Sequence, residues 1–202
     1  MSFYEDCYSF DIKNADILLE LKIIPSLNPP ALCAKIYRSN INSYDIYWNW
    51  GLTNRDYSSK LLLFRKLIKY KYNSYEEIIN SPQFIDFIRE FTPVHSKTLD
   101  QRGKTIINKI MNTNWGPSQR ANNGGLDGHR YFLSIYDTPK RDYETWCTVP
   151  NEWSDLATLV TLIIDDIIKI DDKQRDFYLP YGTVNRTYNI PEIEIPTWMK
   201  KP

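Results

Sequence analysis

Residues 16–24 read DILLELKII, and apolar side chains alternate with charged ones along this stretch. The apolar members that share one side are Leu19, Leu21 and Ile23. Glu20 and Lys22 fall on the other side, and a period of two is typical of a β-strand with one buried face. Residues 25–30, PSLNPP, are rich in breakers and favour a turn. This stretch therefore predicts the first strand of a sheet.

Two further strands are predicted directly after this turn. Residues 31–38 and 44–50 keep a strand-like pattern, and Asn-rich and Ser-rich turn residues separate them. Residues 15–50 are therefore expected to form a strand-rich antiparallel meander.

The period changes to that of a helix over residues 58–112. An apolar stripe at helical spacing is formed by Leu61, Phe64, Leu67 and Ile68. Candidate N-terminal caps are present at Ser58, Ser59, Ser74, Ser81 and Thr98. We expect four helices, two of them short, between Lys60 and Asn112.

Residues 126–170 predict a hairpin followed by a long helix. Residues 131–136 and 143–148 alternate as strands around a turn that contains Pro139. Apolar residues then keep helical spacing from Glu152 to Ile170. Residues 171–202 carry four prolines and are expected to form an extended tail.

The composition is that of a soluble globular protein. The chain has 202 residues, of which 42% are hydrophobic and 25% are charged, and it can bury about 70% of its extended surface. We therefore predict a single α+β domain over residues 1–202, in which an antiparallel sheet packs against several helices. The formal net charge is zero, so the whole chain has no general attraction to nucleic acid or to an anionic membrane.

Targeting and cofactor signals are weak in this sequence. The first ten residues, MSFYEDCYSF, carry acids where a secretory signal needs bases, and no apolar run approaches about 20 residues. A cytoplasmic protein without a membrane span is expected. Cys7, Cys33 and Cys147 are far apart and the chain has two histidines, so we expect neither a metal site nor a cofactor.

Charge is distributed unevenly along the neutral chain. Residues 55–72 contain six bases and one acid, whereas residues 151–176 contain seven acids and three bases. Such asymmetry favours electrostatically steered docking to another protein. Tyr70 and Tyr72 lie among the bases, so a nucleic-acid-binding module that uses the Arg65–Tyr72 face is an alternative. Within the acidic segment, Asp165 and Lys169 have the spacing of an ion pair on a helix.

Two tryptophans are expected at the surface. Trp115 lies in a loop with Gly116 and Pro117, and Trp146 lies near the end of a hairpin strand. Tryptophan is a frequent anchor of protein interfaces, because it buries a large area and carries a polar tip.

An enzyme is the other alternative. Asp127 and His129 are two residues apart and would share a face of an extended strand, with Cys147 across the hairpin. This trio could serve a small hydrolase or nuclease-like enzyme.

Residues 126–133, LDGHRYFL, precede YETW at residues 143–146, Pro150 and an apolar helix. This arrangement, from Leu126 to Ile170, resembles a cassette of small bacterial proteins, some of which are similar to immunity proteins of toxin systems. The resemblance implies a cytoplasmic, non-enzymatic protein that binds one cognate toxin domain and blocks its active site or an essential surface. Acidic residues with tryptophan would engage a basic toxin surface. The predicted partner-binding residues are Trp115, Asp127, Trp146, Asp171 and Asp172.

Overall fold

The computed structural model describes residues 10, 12, 16–25, 30–41, 43–68, 72–117, 119–121, 129–146, 150, 153–175 and 178–180. The strands in this part are β1 (Asp16–Ile24), β2 (Leu32–Asn40), β3 (Ser43–Trp50), β4 (His95–Thr98), β5 (Gln119–Ala121), β6 (Arg130–Ile135) and β7 (Arg141–Trp146). The helices are α1 (Asn54–Leu67), α2 (Tyr75–Ile79), α3 (Pro82–Arg89), α4 (Gln101–Asn112), α5 (Ser154–Thr161) and α6 (Asp172–Arg175).

The strands form one sheet in the order β4-β3-β2-β1-β6-β7-β5. All neighbouring strands are antiparallel except β5 and β7, which are parallel. The N-terminal meander lies beside the later hairpin, because β1 pairs with β2 on one side and with β6 on the other. The predicted α+β fold, with an antiparallel sheet packed against helices, is confirmed.

The larger apolar core covers one face of the sheet, where every second strand residue is buried. It takes Leu19, Leu21 and Ile23 from β1 and Tyr131, Leu133 and Ile135 from β6. Buried residues of α4, α5 and the segment after α5 pack on this face. The apolar residues of this alternation therefore face a core, as predicted, but Glu20 on the other side of β1 is buried too.

A second core lies on the opposite face, over β2. Ala31 and Cys33 there contact an aromatic and aliphatic group from α1, α2 and α3. Its buried helical members are Tyr57, Phe64, Ile78, Phe84 and Ile88. Because helices cover both of its faces, β2 is buried at every residue from Leu32 to Tyr37.

The helix starts agree in part with the predicted caps. Ser74 and Ser81 cap α2 and α3 by accepting bonds from backbone amides, as predicted. Ser58 and Ser59 do not cap α1, which begins one turn earlier because Thr53 accepts a bond from the amide of Asp56 (3.1 Å).

The cap predicted at Thr98 is also wrong. Thr98 belongs to β4, a strand inside the stretch predicted to be helical, and Asp100 caps α4 instead. Asp100 accepts a bond from the amide of Gly103 (2.8 Å). An aspartate side chain is among the strongest N-terminal caps, so it defines this helix start.

The long helix predicted to end at Ile170 changes its geometry on the way. After α5, residues Leu162–Ile168 form a π-helical segment, and Lys169 ends it in a left-handed conformation with φ of 58°. The short helix α6 follows in residues predicted to be extended, so that part of the prediction is wrong. The tail residues 181–202 lie outside the described residues.

Candidate functional site

The two faces of the β6–β7 hairpin differ sharply in burial. Residues that point to the larger core are buried, namely Tyr131, Leu133, Ile135, Tyr143 and Thr145. Residues that alternate with them are partly or fully exposed, namely Arg130, Phe132, Ser134, Asp142, Glu144 and Trp146. We call Lys22, Arg130, Phe132, Glu144 and Trp146 the outer hairpin face.

Strand register brings these five residues into two rows. Lys22 pairs with Phe132, which pairs with Glu144, so a base, an aromatic ring and an acid lie side by side across three strands. Arg130 pairs with Trp146 in the next row. Directly opposed residues on neighbouring strands project from the same face, so both rows form one surface. Neither Phe132 nor Trp146 belongs to either apolar core.

The Arg130 guanidinium stacks on Trp146, with its carbon 4.3 Å from the ring centroid. Trp146 Nε1 is buried and has no hydrogen-bond partner in the part of the chain that the structure describes. The cation holds the indole in one orientation on a half-buried surface. The stack therefore offers a partner a pre-positioned aromatic ring and a positive charge.

A buried polar cluster adjoins this face on β1 and β2. Glu20 accepts a hydrogen bond from the Tyr136 hydroxyl (2.9 Å), and Lys22 and Lys35 lie 3.5 and 3.8 Å from its Oε1 atom. The Lys35 ammonium also donates to the carbonyl of Phe10. The carboxylate is thereby tied to two cations and a hydroxyl, and it anchors Lys22 at the edge of the outer hairpin face.

The thiol of Cys33 completes the cluster, 3.8 Å from Glu20 Oε1. Burial, followed by the nearby negative charge of Glu20, raises the pKa of Cys33 to about 12. The thiol stays protonated near neutral pH and is not activated as a nucleophile. The sequence analysis does not predict this cluster, because the alternation in β1 places Glu20 on the side opposite the buried apolar residues and gives no sign that Lys35 and Tyr136 enclose it.

Trp115 is not at the surface, and the prediction that it is exposed is wrong. Only 4% of the residue is exposed, and its indole Nε1 donates to the carbonyl of Ile110 (2.9 Å). Its ring packs on Tyr143 and Trp153, with centroids 5.5 and 6.4 Å away. The loop after α4 folds back onto the end of its own helix and directs the indole into the core.

Several acidic side chains of residues 151–176 form ion pairs with basic residues of the same chain. Asp165 binds Arg175 through two hydrogen bonds, and Asp166 lies 2.6 Å from a guanidinium nitrogen of Arg102. The predicted pair of Asp165 with Lys169 is therefore wrong, since Lys169 adopts the left-handed conformation that ends the π-helical segment.

The structure describes only some of the acidic residues that are predicted to bind a partner. Asp171 is exposed before α6, and Asp172 is the first residue of that helix. The side chain of Asp172 and the whole of Asp127 lie outside the described residues.

Residues of the alternative enzyme site are also described only in part. His129 is 6% exposed and meets Tyr131 edge-on, so it is not a surface histidine. Asp127 and Cys147 lie outside the described residues, so the arrangement of this trio stays a prediction.

The basic segment is partly engaged with aromatic rings. Lys60 lies 3.6 Å from the ring centroid of Phe91, and the Arg65 guanidinium lies 4.7 Å from that of Tyr75. Arg65 also donates to the Tyr75 hydroxyl (2.6 Å). These contacts stabilise the packing of α1 with its neighbours. They also hold two basic side chains on aromatic rings, so fewer cations of this segment can contact the phosphates of a nucleic acid.

Neither a metal-ligand cluster nor a membrane-spanning helix is present among the residues that the structure describes. Among those described, no group of three or more His, Cys, Asp or Glu side chains could hold a metal ion. None of the described helices has both the length and the apolar character needed to cross a membrane. Comparison of the chain with protein-family models, with curated proteins and with solved structures finds no match.

Proposed function

We propose that this protein is a non-enzymatic, immunity-type inhibitor that binds one cognate toxin domain through the outer hairpin face. The observation that carries the proposal is the Arg130–Trp146 stack on the outer hairpin face, where both residues are partly exposed. Among the predicted partner-binding residues whose side chains the structure describes, Trp146 lies on this surface.

Interface energetics favour a surface of this kind. Tryptophan and arginine are enriched among the residues that contribute most to protein–protein binding. A ring already held by a neighbouring cation loses less conformational freedom on binding than a mobile one does.

Charge on the surface would select the partner. Lys22 and Glu144 lie on either side of Phe132, so opposite charges flank an apolar centre. A toxin surface of complementary pattern would dock in one register, while a mismatched one would meet like charges. Asp171, Asp172 and Asp127 remain proposed contacts to basic groups of the toxin.

Protection of cells tests the proposal. Each protein encoded beside this gene is expressed with and without it, and growth is measured. We expect one neighbour to arrest growth and this protein to restore it, with a stoichiometric complex seen by calorimetry. Trp146→Ala should weaken that complex by at least about tenfold.

A matched variant controls for the loss of a stacked ring. Tyr75→Ala also removes a partly exposed ring from under an arginine, here Arg65, but on another surface. It should leave toxin binding unchanged. The proposal is overturned if no neighbour is toxic, if protection is absent, or if both variants bind as tightly as the unmodified protein.

A further inference from the structure

Helix α1 exposes three leucines on the side that faces away from the sheet. Leu62, Leu63 and Leu67 are 53%, 42% and 62% exposed. Single exposed leucines are ordinary on protein surfaces, but several on one helix mark an interaction site. They are not needed to attach α1, because a different stripe serves that purpose.

The attaching stripe has regular helical spacing. Tyr57 and Phe64 are buried in the second core, and Leu61 and Ile68 pack against it. These positions recur at intervals of three and four residues, so they already form the apolar face that an amphipathic helix needs. The exposed leucines lie outside this stripe and form a second apolar face.

Basic side chains surround the second apolar face. Arg55 and Lys66 are both exposed, and Lys66 lies one turn after Leu62 and Leu63, next to both on the helical surface. Asp56 is the single acid in residues 55–72, and its carboxylate accepts a hydrogen bond from Thr53 (2.7 Å) at the helix start. The surface therefore combines leucine with positive charge.

This combination favours an acidic protein over a nucleic acid. The phosphates of a nucleic acid would pair with the cations, but they have no apolar surface that could pack against three leucines. Lys60 and Arg65, which could have extended the cationic surface, lie on the rings of Phe91 and Tyr75. A protein segment with both carboxylates and apolar side chains could pair with the cations and also pack against the leucines.

A second copy of this chain is a poorer match. Its acidic segment would be the complementary surface, but Asp155, Asp165 and Asp166 are already paired with Lys109, Arg175 and Arg102.

We propose that the face of α1 formed by Leu62, Leu63, Leu67, Arg55 and Lys66 docks an acidic amphipathic helix of another protein. The leucines would take its apolar side chains, and the two cations would pair with its carboxylates. This surface is separate from the outer hairpin face, so the inference adds a second partner-binding site to the proposed function.

The test uses the full chain and a displayed library of helical peptides as long as α1. One face of each peptide carries Leu or Ile, and the flanking positions vary among Asp, Glu, Lys and Ser. Fluorescence anisotropy then measures the affinity of enriched peptides. We expect enrichment of Asp and Glu, and affinities that fall with added salt because the charges are exposed.

Variants assign the binding to this face. Replacing Leu62, Leu63 and Leu67 with Ser should weaken peptide binding at least about tenfold. Ile41→Ser removes an apolar side chain that is 91% exposed elsewhere, and it should have no effect. Circular dichroism and thermal unfolding check that each variant keeps its fold.

Two further probes distinguish other partners, namely a single-stranded oligonucleotide and anionic phospholipid vesicles. The inference is overturned if no acidic peptide is enriched, or if binding survives the leucine substitutions. It is equally overturned if the oligonucleotide or the vesicles bind more tightly than the peptides and lose binding in the same variant.

Discussion

Asp165 and Arg175 are joined by two parallel hydrogen bonds of 2.6 and 2.7 Å, from the guanidinium Nε and Nη2 to the two carboxylate oxygens. The pair links the π-helical segment to α6 across the left-handed residue Lys169. Paired, planar hydrogen bonds of this kind fix geometry as well as charge.

Arg175→Ala should therefore lower the free energy of unfolding by about 1 kcal/mol. Arg175→Lys keeps the charge but loses the second hydrogen bond, so it should recover only part of that loss. Urea denaturation measures both. Arg89→Ala is the matched control, because its pair with Asp86 is largely exposed and should contribute far less. Equal losses in the two alanine variants would contradict this reasoning.

The pair of Glu20 and Lys35 should show strong coupling. Glu20→Gln removes a carboxylate charge from beside the buried Lys35 ammonium and should cost about 3 kcal/mol. Lys35→Met should be similarly costly, because it leaves the carboxylate short of a cation. The double variant should be much less destabilised than the sum of the two. Simple additivity in a double-mutant cycle would disprove the coupling.

Cys33 should resist thiol reagents while the protein is folded. Its side chain is buried and its pKa of about 12 leaves almost no thiolate at pH 8. In a Cys7→Ser/Cys147→Ser background, we expect very slow labelling by a disulfide reagent in buffer. Rapid labelling should follow in guanidinium chloride. Fast reaction of the folded protein would mean that the thiol is accessible.

The same thiol predicts a pH dependence of stability. The folded pKa lies above the ordinary value of 9.0, so above pH 9 the unfolded chain releases a proton that the folded chain keeps. This contribution is complete below pH 9 and is lost as the pH rises toward 12. Between pH 8 and 10 it should fall by about 1 kcal/mol. Urea midpoints in the same background, with and without Cys33→Ala, isolate this slope. Parallel pH profiles would refute the assignment.

Alanine substitutions of the two tryptophans from the predicted binding set should have different effects on the free energy of unfolding. Trp115→Ala should cost about 3 to 5 kcal/mol, because it empties a buried site and removes the bond to the Ile110 carbonyl. Trp146→Ala should cost much less, since that residue is partly exposed and belongs to neither core among the described residues. Thermal unfolding distinguishes them, and a larger loss at Trp146 would reverse the roles assigned here.

The sheet could be predicted from sequence because its alternation is local. Leu19, Leu21 and Ile23 share a face whatever lies next to them, and the hairpin strands follow the same rule. The failure at β4 has the same origin. His95–Thr98 contains no apolar alternation, because all four of its residues are exposed at the sheet edge.

The burial of individual polar and aromatic residues could not be predicted from the sequence, because it depends on contacts between distant parts of the chain. Glu20 is enclosed by Tyr136 from 116 residues away, and no local pattern indicates this. Trp115 sits beside Gly116 and Pro117 as an exposed loop residue would, but Tyr143 and Trp153 cover it. Trp146, predicted to lie at the surface, is partly exposed, because it occupies an outward position of an alternating strand.

The central place of β1 has a consequence for synthesis on the ribosome. β2 and β3 can pair with it early, but its other edge waits for β6, which is made only after all of α1 to α4. During that interval an apolar strand presents unpaired amides and carbonyls on one side, which is a template for intermolecular association. Completion of the sheet is thus a late, long-range event, so slow emergence of residues 130–135 should prolong any need for a chaperone.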